Sequence, residues 1–262
     1  MSRIVWSVFT KLWKTMPLEK LGRFLRGLGF DAVELPVRPG FQVQPASVAK
    51  DLPAAAKVLA DCGLAIASIS GPCDEPTFAA CQACGVKINR LCEFTGGQKY
   101  LEAEAKIIAR YKALVPLLDK YGVRIGLQNH CDGYVANSTQ MLRICEKFAP
   151  AQVGAVWDAA HNAINGEVPE QAIDILWSHL CMVNLKNAVW RRTNGPEAAI
   201  AKYEILWTSG RQGLAPWPKV AEELNKRNFS GIICLTAEYT DESSVNRLIA
   251  DDIAFAKGLF AS

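Results

Sequence analysis

Short apolar runs alternate along the chain with longer segments whose apolar residues recur every three or four positions. The first run, Ile4–Phe9, precedes a helical pattern from about Pro17 to Leu28 that ends at Gly29. Asp31–Leu35 and Leu64–Ser70 read as the second and third strands, separated by a helix from about Ser47 to Cys62 that stops at Gly63. A short helix, Pro76–Cys84, stops at Gly85 and leads into a fourth strand, Val86–Cys92. These glycines fall where a helix end needs a left-handed residue. The clearest helix is Lys99–Tyr121, where Leu101, Ala105, Ile108, Tyr111, Val115 and Leu118 make one stripe and Pro116 predicts a bend. Val123–Gln128, Val153–Trp157, Cys181–Leu185 and Ile232–Ala237 read as strands five to eight. The helices of this half are expected near Thr139–Phe148, Pro169–Leu176, Pro218–Arg227 and Val245–Phe260.

Strands that alternate with helices pair in parallel through right-handed crossovers. Eight such units closing on themselves make an α/β fold, a single (β/α)8 TIM barrel, for which roughly 250 residues is usual. The chain has 262. No linker or shift in composition divides it, so residues 1–262 read as one domain. The connection from Asn187 to Pro216 is too long for an ordinary link and is expected to cover the site.

Half of the residues are hydrophobic and 21% are charged, enough apolar material for one large core and the opposite of a disordered composition. The formal charge of +3 is spread out, and no Lys/Arg run offers an arm for nucleic acid. No stretch has the length of a membrane span, and the apolar start lacks the order of a signal peptide. Nine cysteines, several within apolar runs, read as reduced thiols of a cytoplasmic protein. Cys81-x-x-Cys84 has no second pair at metal spacing, so neither zinc nor redox chemistry is expected there, and no cysteine is expected at the site. A homo-oligomer is left open.

Successive side chains of a strand alternate faces. In the fifth strand Gly126, Gln128 and His130 share one face; in the sixth Gly154, Val156 and Asp158; in the seventh Met182, Asn184 and Lys186; in the eighth Cys234, Thr236 and Glu238. The opposite faces carry bulky residues suited to the helix layer. Four adjacent strands thus each place a polar group, Gln128, Asp158, Asn184 or Glu238, at the C-terminal mouth, where this architecture keeps its chemistry.

The runs Gly126-Leu-Gln-Asn-His130, Val156-Trp-Asp-Ala-Ala-His161, Val183-Asn-Leu-Lys-Asn187 and Leu235-Thr-Ala-Glu-Tyr239 resemble the last four strand ends of the xylose-isomerase-like family, and Asp31-Ala-Val-Glu-Leu35 resembles its second strand. That family includes sugar isomerases, sugar 3-epimerases, hydroxypyruvate isomerase, inosose dehydratase and endonuclease IV. The resemblance implies a divalent cation, Mg2+ or Mn2+, held by Glu, Asp, His and Glu on strands five to eight. Asp158 and Glu238 match; Gln128 and Asn184 stand where Glu and His are usual. Amide oxygens still ligate hard cations, but the smaller charge implies weaker binding.

The activity implied is isomerisation, epimerisation or elimination on a sugar or polyol, by proton abstraction next to a carbonyl. Glu238 is the expected base, and a glutamine at 128 cannot be its partner. His130 is the substitute, since an imidazole suits proton transfer near neutral pH. His161 is expected against substrate or metal. Lys186 either balances an enolate or carboxylate or is a solvated rim lysine. Glu34 and Arg90 share barrel-facing parity, with a buried ion pair the first expectation and substrate contact the second. Trp190, Trp207 and Trp217 offer sugar-stacking faces or pack the long connection. The changes at Gln128 and Asn184 also motivate a different reading, a non-catalytic barrel that binds a sugar. Nuclease chemistry needs more zinc ligands than His130, His161 and His179 supply.

Overall fold

Ten strands and nine α-helices account for most of residues 4–261, the part of the chain that this computed structural model describes. The strands are β1 (Ile4–Phe9), β2 (Ala32–Pro36), β3 (Ala65–Ser70), β4 (Ile88–Leu91), β5 (Arg124–Gln128), β6 (Val153–Asp158), β7 (Leu180–Leu185), β8 (Asn187–Arg192), β9 (Tyr203–Thr208) and β10 (Gly231–Leu235). The helices are α1 (Leu18–Gly27), α2 (Val48–Asp61), α3 (Glu75–Ala83), α4 (Tyr100–Tyr121), α5 (Ser138–Cys145), α6 (Ala159–Ile164), α7 (Pro169–Leu176), α8 (Trp217–Lys226) and α9 (Val245–Phe260). Eight strands close a parallel barrel in the order β1-β10-β7-β6-β5-β4-β3-β2, the (β/α)8 barrel that the alternation of elements predicts.

Local chemistry sets the helix ends. Gly29, Gly63 and Gly85 adopt φ of 91°, 78° and 72°, the left-handed turn that ends α1, α2 and α3. Asp74 and Asn137 cap α3 and α5 by accepting the N–H of Thr77 and Gln140. α4 runs unbroken through Pro116.

The alternation along the strands separates two cores. Trp157, Val183, Leu185, Ile233 and Leu235 point outward into the large cluster beneath the helices. Phe9, Ile88, Val156, Met182 and Cys234 point inward and plug the barrel. That plug is tight at Gly126, where an added Cβ would lie 2.7 Å from Val156 Cγ2 and 2.9 Å from Ile88 Cγ2. Apart from Ser7, which lies beside Cys234 within the plug, the polar groups of the site are stacked above this apolar floor, toward the strands' C-terminal ends.

The long connection is not a loop. β8 and β9 pair antiparallel, Ala188 opposite Trp207 and Trp190 opposite Ile205, and the hairpin packs on α6. Its alternation of polar and apolar residues stands outside the strand–helix rhythm, which is why the sequence reads there as a lid without structure. The return segment is pinned by buried Asn187, whose Nδ2 donates to the carbonyls of Gly210 and Ala215, both at 2.9 Å. The helix α6 also goes unforeseen. It starts because Asp158 Oδ1 accepts the N–H groups of Ala160 (3.0 Å) and His161 (3.1 Å), a helix cap built from a strand-end residue.

Candidate active site

A cavity of about 580 Å³ opens at the C-terminal mouth, with Gln128, Asn184 and Glu238 in its wall. His130 and His161 line it too. A second space of about 350 Å³ shares Lys11, His130 and Glu238 with it and reaches Lys186 and Trp207. Asp158 is fully buried behind this wall, bonded to the wall residues Gln128 and His161.

One half of the mouth is a continuous buried network. Glu34 Oε1 accepts from Arg90 Nε at 2.7 Å. Arg90 Nη1 donates to Gln128 Oε1, and Gln128 Nε2 donates to Asp158 Oδ2 at 3.0 Å. Asn129 clamps the same strand end, accepting the Asp158 N–H at 2.7 Å and donating to its carbonyl at 3.1 Å. Burial works against charge on Arg90, but the Glu34 carboxylate outweighs it and keeps the guanidinium protonated. Burial likewise raises the Asp158 carboxyl, against the pull of Lys186. Glu34 is thus the anchor of Arg90, and the expectation that it contacts substrate is corrected: it is fully buried and outside the cavity wall.

The other half is built on Glu238. Its Oε1 accepts from Lys11 Nζ at 2.6 Å and its Oε2 from Lys186 Nζ at 2.7 Å. Burial would raise this carboxyl, yet Lys186 and Lys11 outweigh burial and hold it at about 2. A carboxylate so stabilised is a poor proton acceptor at neutral pH, which argues against Glu238 as the base. Lys186 is no solvated rim residue, since its ammonium lies 3.5 Å from the Trp207 ring centroid. Ala237, between Thr236 and Glu238, sits at φ 52°, a left-handed conformation that costs a non-glycine residue energy and fixes the approach of both neighbours to the cavity. Asn184 is fully buried in the wall, and neither its Oδ1 nor its Nδ2 has a protein partner.

The two histidines are set by the backbone of a single residue, Cys131. The Cys131 carbonyl can only accept, so His130 Nδ1, at 2.8 Å, donates and leaves a lone pair on Nε2. The Cys131 N–H can only donate, so His161 Nδ1, at 3.2 Å, accepts and Nε2 carries the proton. Burial, then Lys186, His130 and Arg90, push His161 well below the usual histidine range, so it is a neutral N–H donor. The rings lie 4.0 Å apart between centroids.

The expected cation set converges but does not fit a divalent ion as arranged. Gln128 Oε1 is taken by Arg90, both Glu238 oxygens by lysines, and Asp158 Oδ1 by the α6 cap. Three cations already stand among these ligands, and a further double charge would meet their repulsion. His130, Cys131 and His161 also cluster within 4.8 Å, contrary to the expectation of no cysteine at the site, and Cys92 lines the cavity. A metal on His161 Nε2 would displace the proton there and break the Cys131 bond, while burial and the neighbouring Asp132 push the Cys131 thiol up to about 12.

Trp190 is corrected: 46% exposed, it donates its indole N–H to the Ile164 carbonyl at 3.2 Å, away from both cavities. Trp207, across the hairpin, is the tryptophan that lines the second space, 5.1 Å from the His161 ring. Trp217 packs under the rim on Phe255. Cys81 and Cys84 are free thiols away from the mouth, Cys81 pushed up to about 12 by burial. The wall residues Lys11 and Arg38 go unforeseen. The signal was present: Lys11 continues the parity of Ser7 and Phe9, and Arg38 that of Glu34 and Pro36.

Similar structures span the whole barrel. D-psicose 3-epimerase with D-tagatose from Clostridium cellulolyticum H10 aligns over 99% of each chain at 12% identity, TM-score 0.74. The probable 3-DHS dehydratase involved in petrobactin synthesis from Bacillus anthracis aligns over 98% of each chain at 14% identity, TM-score 0.71. A xylose isomerase-like TIM barrel protein from Mycobacterium smegmatis in complex with magnesium aligns over 100% of this chain and 97% of that one at 16% identity, TM-score 0.69. At these identities the likeness is one of fold. No curated protein matches the sequence. The sequence model of the xylose isomerase-like TIM barrels covers residues 23–259, and the chain belongs to that family.

Proposed function

We propose that this protein is a carbohydrate-modifying enzyme of the isomerase, epimerase or lyase type, acting on a small-molecule sugar or polyol derivative by moving a proton next to a carbonyl, without a bound metal. The single observation that carries this reading is the Cys131 backbone, whose carbonyl makes neutral His130 an acceptor at Nε2 and whose N–H makes His161 a donor at Nε2. His130 Nε2 takes the proton from the carbon beside the carbonyl. His161 Nε2–H donates to the carbonyl oxygen as negative charge builds there, and the lysines of the Glu238 pair add a favourable field. Returning the proton to the former carbonyl carbon, as the neighbouring hydroxyl gives up its own, isomerises; protonation of the opposite face by a second donor there epimerises; loss of a β-hydroxyl together with a proton eliminates water. The epimerase and dehydratase among the similar folds perform reactions of this kind.

The test is solvent exchange. D-fructose, D-tagatose, 5-keto-D-gluconate and D-fructose 6-phosphate are incubated with the protein in D2O, and deuterium at the carbon beside the carbonyl is followed by NMR. Exchange is expected with at least one of them, unchanged by EDTA, and about a hundredfold slower in His130→Ala, the usual contribution of a positioned base. Exchange that EDTA abolishes and Mg2+ or Mn2+ restores would overturn the metal-free reading. Binding without exchange would instead support a non-catalytic sugar-binding barrel.

A further inference from the structure

Not every cation at the mouth is paired. Lys11, Arg38, Arg90 and Lys186 stand there with the carboxylates Glu34, Asp158, Glu238 and, at the rim of the second space, Glu242. The unmatched cation is Arg38. Arg90 is paired with Glu34, and both lysines with Glu238, whereas among the described residues Arg38 has no carboxylate partner. Its Nη2 donates to Ser70 Oγ at 2.9 Å, and its guanidinium lies 5.7 Å from the Phe9 ring centroid, so the group is held in place and half-buried in the cavity wall. Burial and the nearby Arg90 both work against its charge. A half-buried guanidinium with a single neutral acceptor is a costly arrangement that an oxyanion would relieve through charge-assisted hydrogen bonds. Asn184, buried in the same wall with both amide atoms free, independently points to a ligand in this cavity.

We infer that the substrate is an acidic carbohydrate, whose carboxylate or phosphate docks on Arg38 and Ser70 while its carbonyl end lies toward His130 and His161. The inference rests on the proposed carbohydrate chemistry and adds the class of substrate. Arg38 supplies two-pronged donors of the kind that suit either oxyanion. Ser70, 5% exposed, still has its own O–H to give.

Calorimetric binding of D-fructose, 5-keto-D-gluconate and D-fructose 6-phosphate to the whole protein tests this. At low salt, one of the two acids is expected to bind about tenfold or more tightly than the neutral ketose, the scale of one charge-assisted pair, and which acid wins tells carboxylate from phosphate. Arg38→Gln should erase that preference, lowering the affinity for the preferred acid to about that for D-fructose. Arg38→Lys should keep part of it, because the charge remains but the fork is lost. Equal affinity for all three ligands, absence of binding by either acid, or a preference that survives Arg38→Gln would overturn the subsite. Binding is read without turnover. A charge preference with no deuterium exchange therefore sinks the enzymatic reading and supports the subsite, and exchange without charge preference does the reverse.

Discussion

The two halves of the mouth carry similar polar residues in opposite states. On the β2, β4, β5 and β6 side, Glu34, Arg90, Gln128 and Asp158 form a chain in which each side chain is bonded to the next. On the β7 and β10 side, Glu238 is clasped by two lysines, but the Asn184 amide has no hydrogen-bond partner among the described residues. Buried polar groups are nearly always satisfied, so a saturated network marks scaffold and an unsatisfied amide marks a surface kept for something else. The contrast assigns structural work to the bonded chain Glu34–Arg90–Gln128–Asp158 and leaves the free Asn184 amide for recognition, although resemblance to the family treats Gln128, Asp158, Asn184 and Glu238 as one equivalent set.

The largest effect should come from cutting the saturated half. Arg90→Leu leaves Glu34 charged and wholly buried with no counter-ion, and frees Gln128 Oε1. Breaking one partner of a buried pair costs about 3–5 kcal/mol. Urea denaturation should show that loss with an unchanged slope. A loss below about 1 kcal/mol would mean that water reaches Glu34 and that this half is no scaffold.

A smaller effect is expected from Glu238, through pH. Its carboxyl falls from the ordinary 4.5 to about 2 in the fold. A group depressed on folding contributes stability above its unfolded value, and that contribution fades as the pH drops through the folded one. Wild-type stability should therefore decline between about pH 4.5 and 2, and Glu238→Gln should lack this part of the slope. Each tenfold change in proton affinity corresponds to about 1.4 kcal/mol. Solvent at the partly exposed carboxylate screens some of this, so the difference at neutral pH should be about 2 kcal/mol. Curves for the two proteins that run parallel down to pH 2 would show that the lysines do not hold Glu238 as described.

The distinction between the halves was only partly legible in the sequence. Period-two parity brought Gln128, Asn184 and Glu238 into one cavity wall because strand geometry is rigid, and the alternation of elements gave the barrel for the same reason. Partnership is another matter. That Arg90 reaches Gln128 as well as Glu34, or that Lys11 crosses to Glu238 from the start of the chain, depends on rotamers and on which strands adjoin after closure. Trp190 and Trp207 show the limit most plainly. Both lie on the hairpin face toward α6, but two pairing steps along it separate a residue over Ile164 from one against His161. Likewise, no pattern in Asn129-His-Cys-Asp132 announces that one residue's backbone orients two imidazoles, since the second ring arrives from α6, after the next strand.

The smallest effect gives the sharpest test, because its sign differs between the halves. Gln128→Leu and Asn184→Leu both replace an amide by an apolar side chain of comparable length on the barrel's inward face. At Gln128 the change strands two partners, the Arg90 guanidinium and Asp158 Oδ2, and an unsatisfied buried group costs about 1–3 kcal/mol. At Asn184 no protein group loses a bond, while a buried, unpaired amide is exchanged for a residue that suits the neighbouring plug of Val156, Met182 and Cys234. Asn184→Leu should therefore leave stability unchanged or raise it by up to about 1 kcal/mol, and should weaken ketose binding by about five- to tenfold through loss of one or two ligand hydrogen bonds. Thermal melts and calorimetry on the two variants read both arms. Should Asn184→Leu cost as much stability as Gln128→Leu, the free amide is serving the fold, and the division of the mouth into scaffold and recognition halves fails.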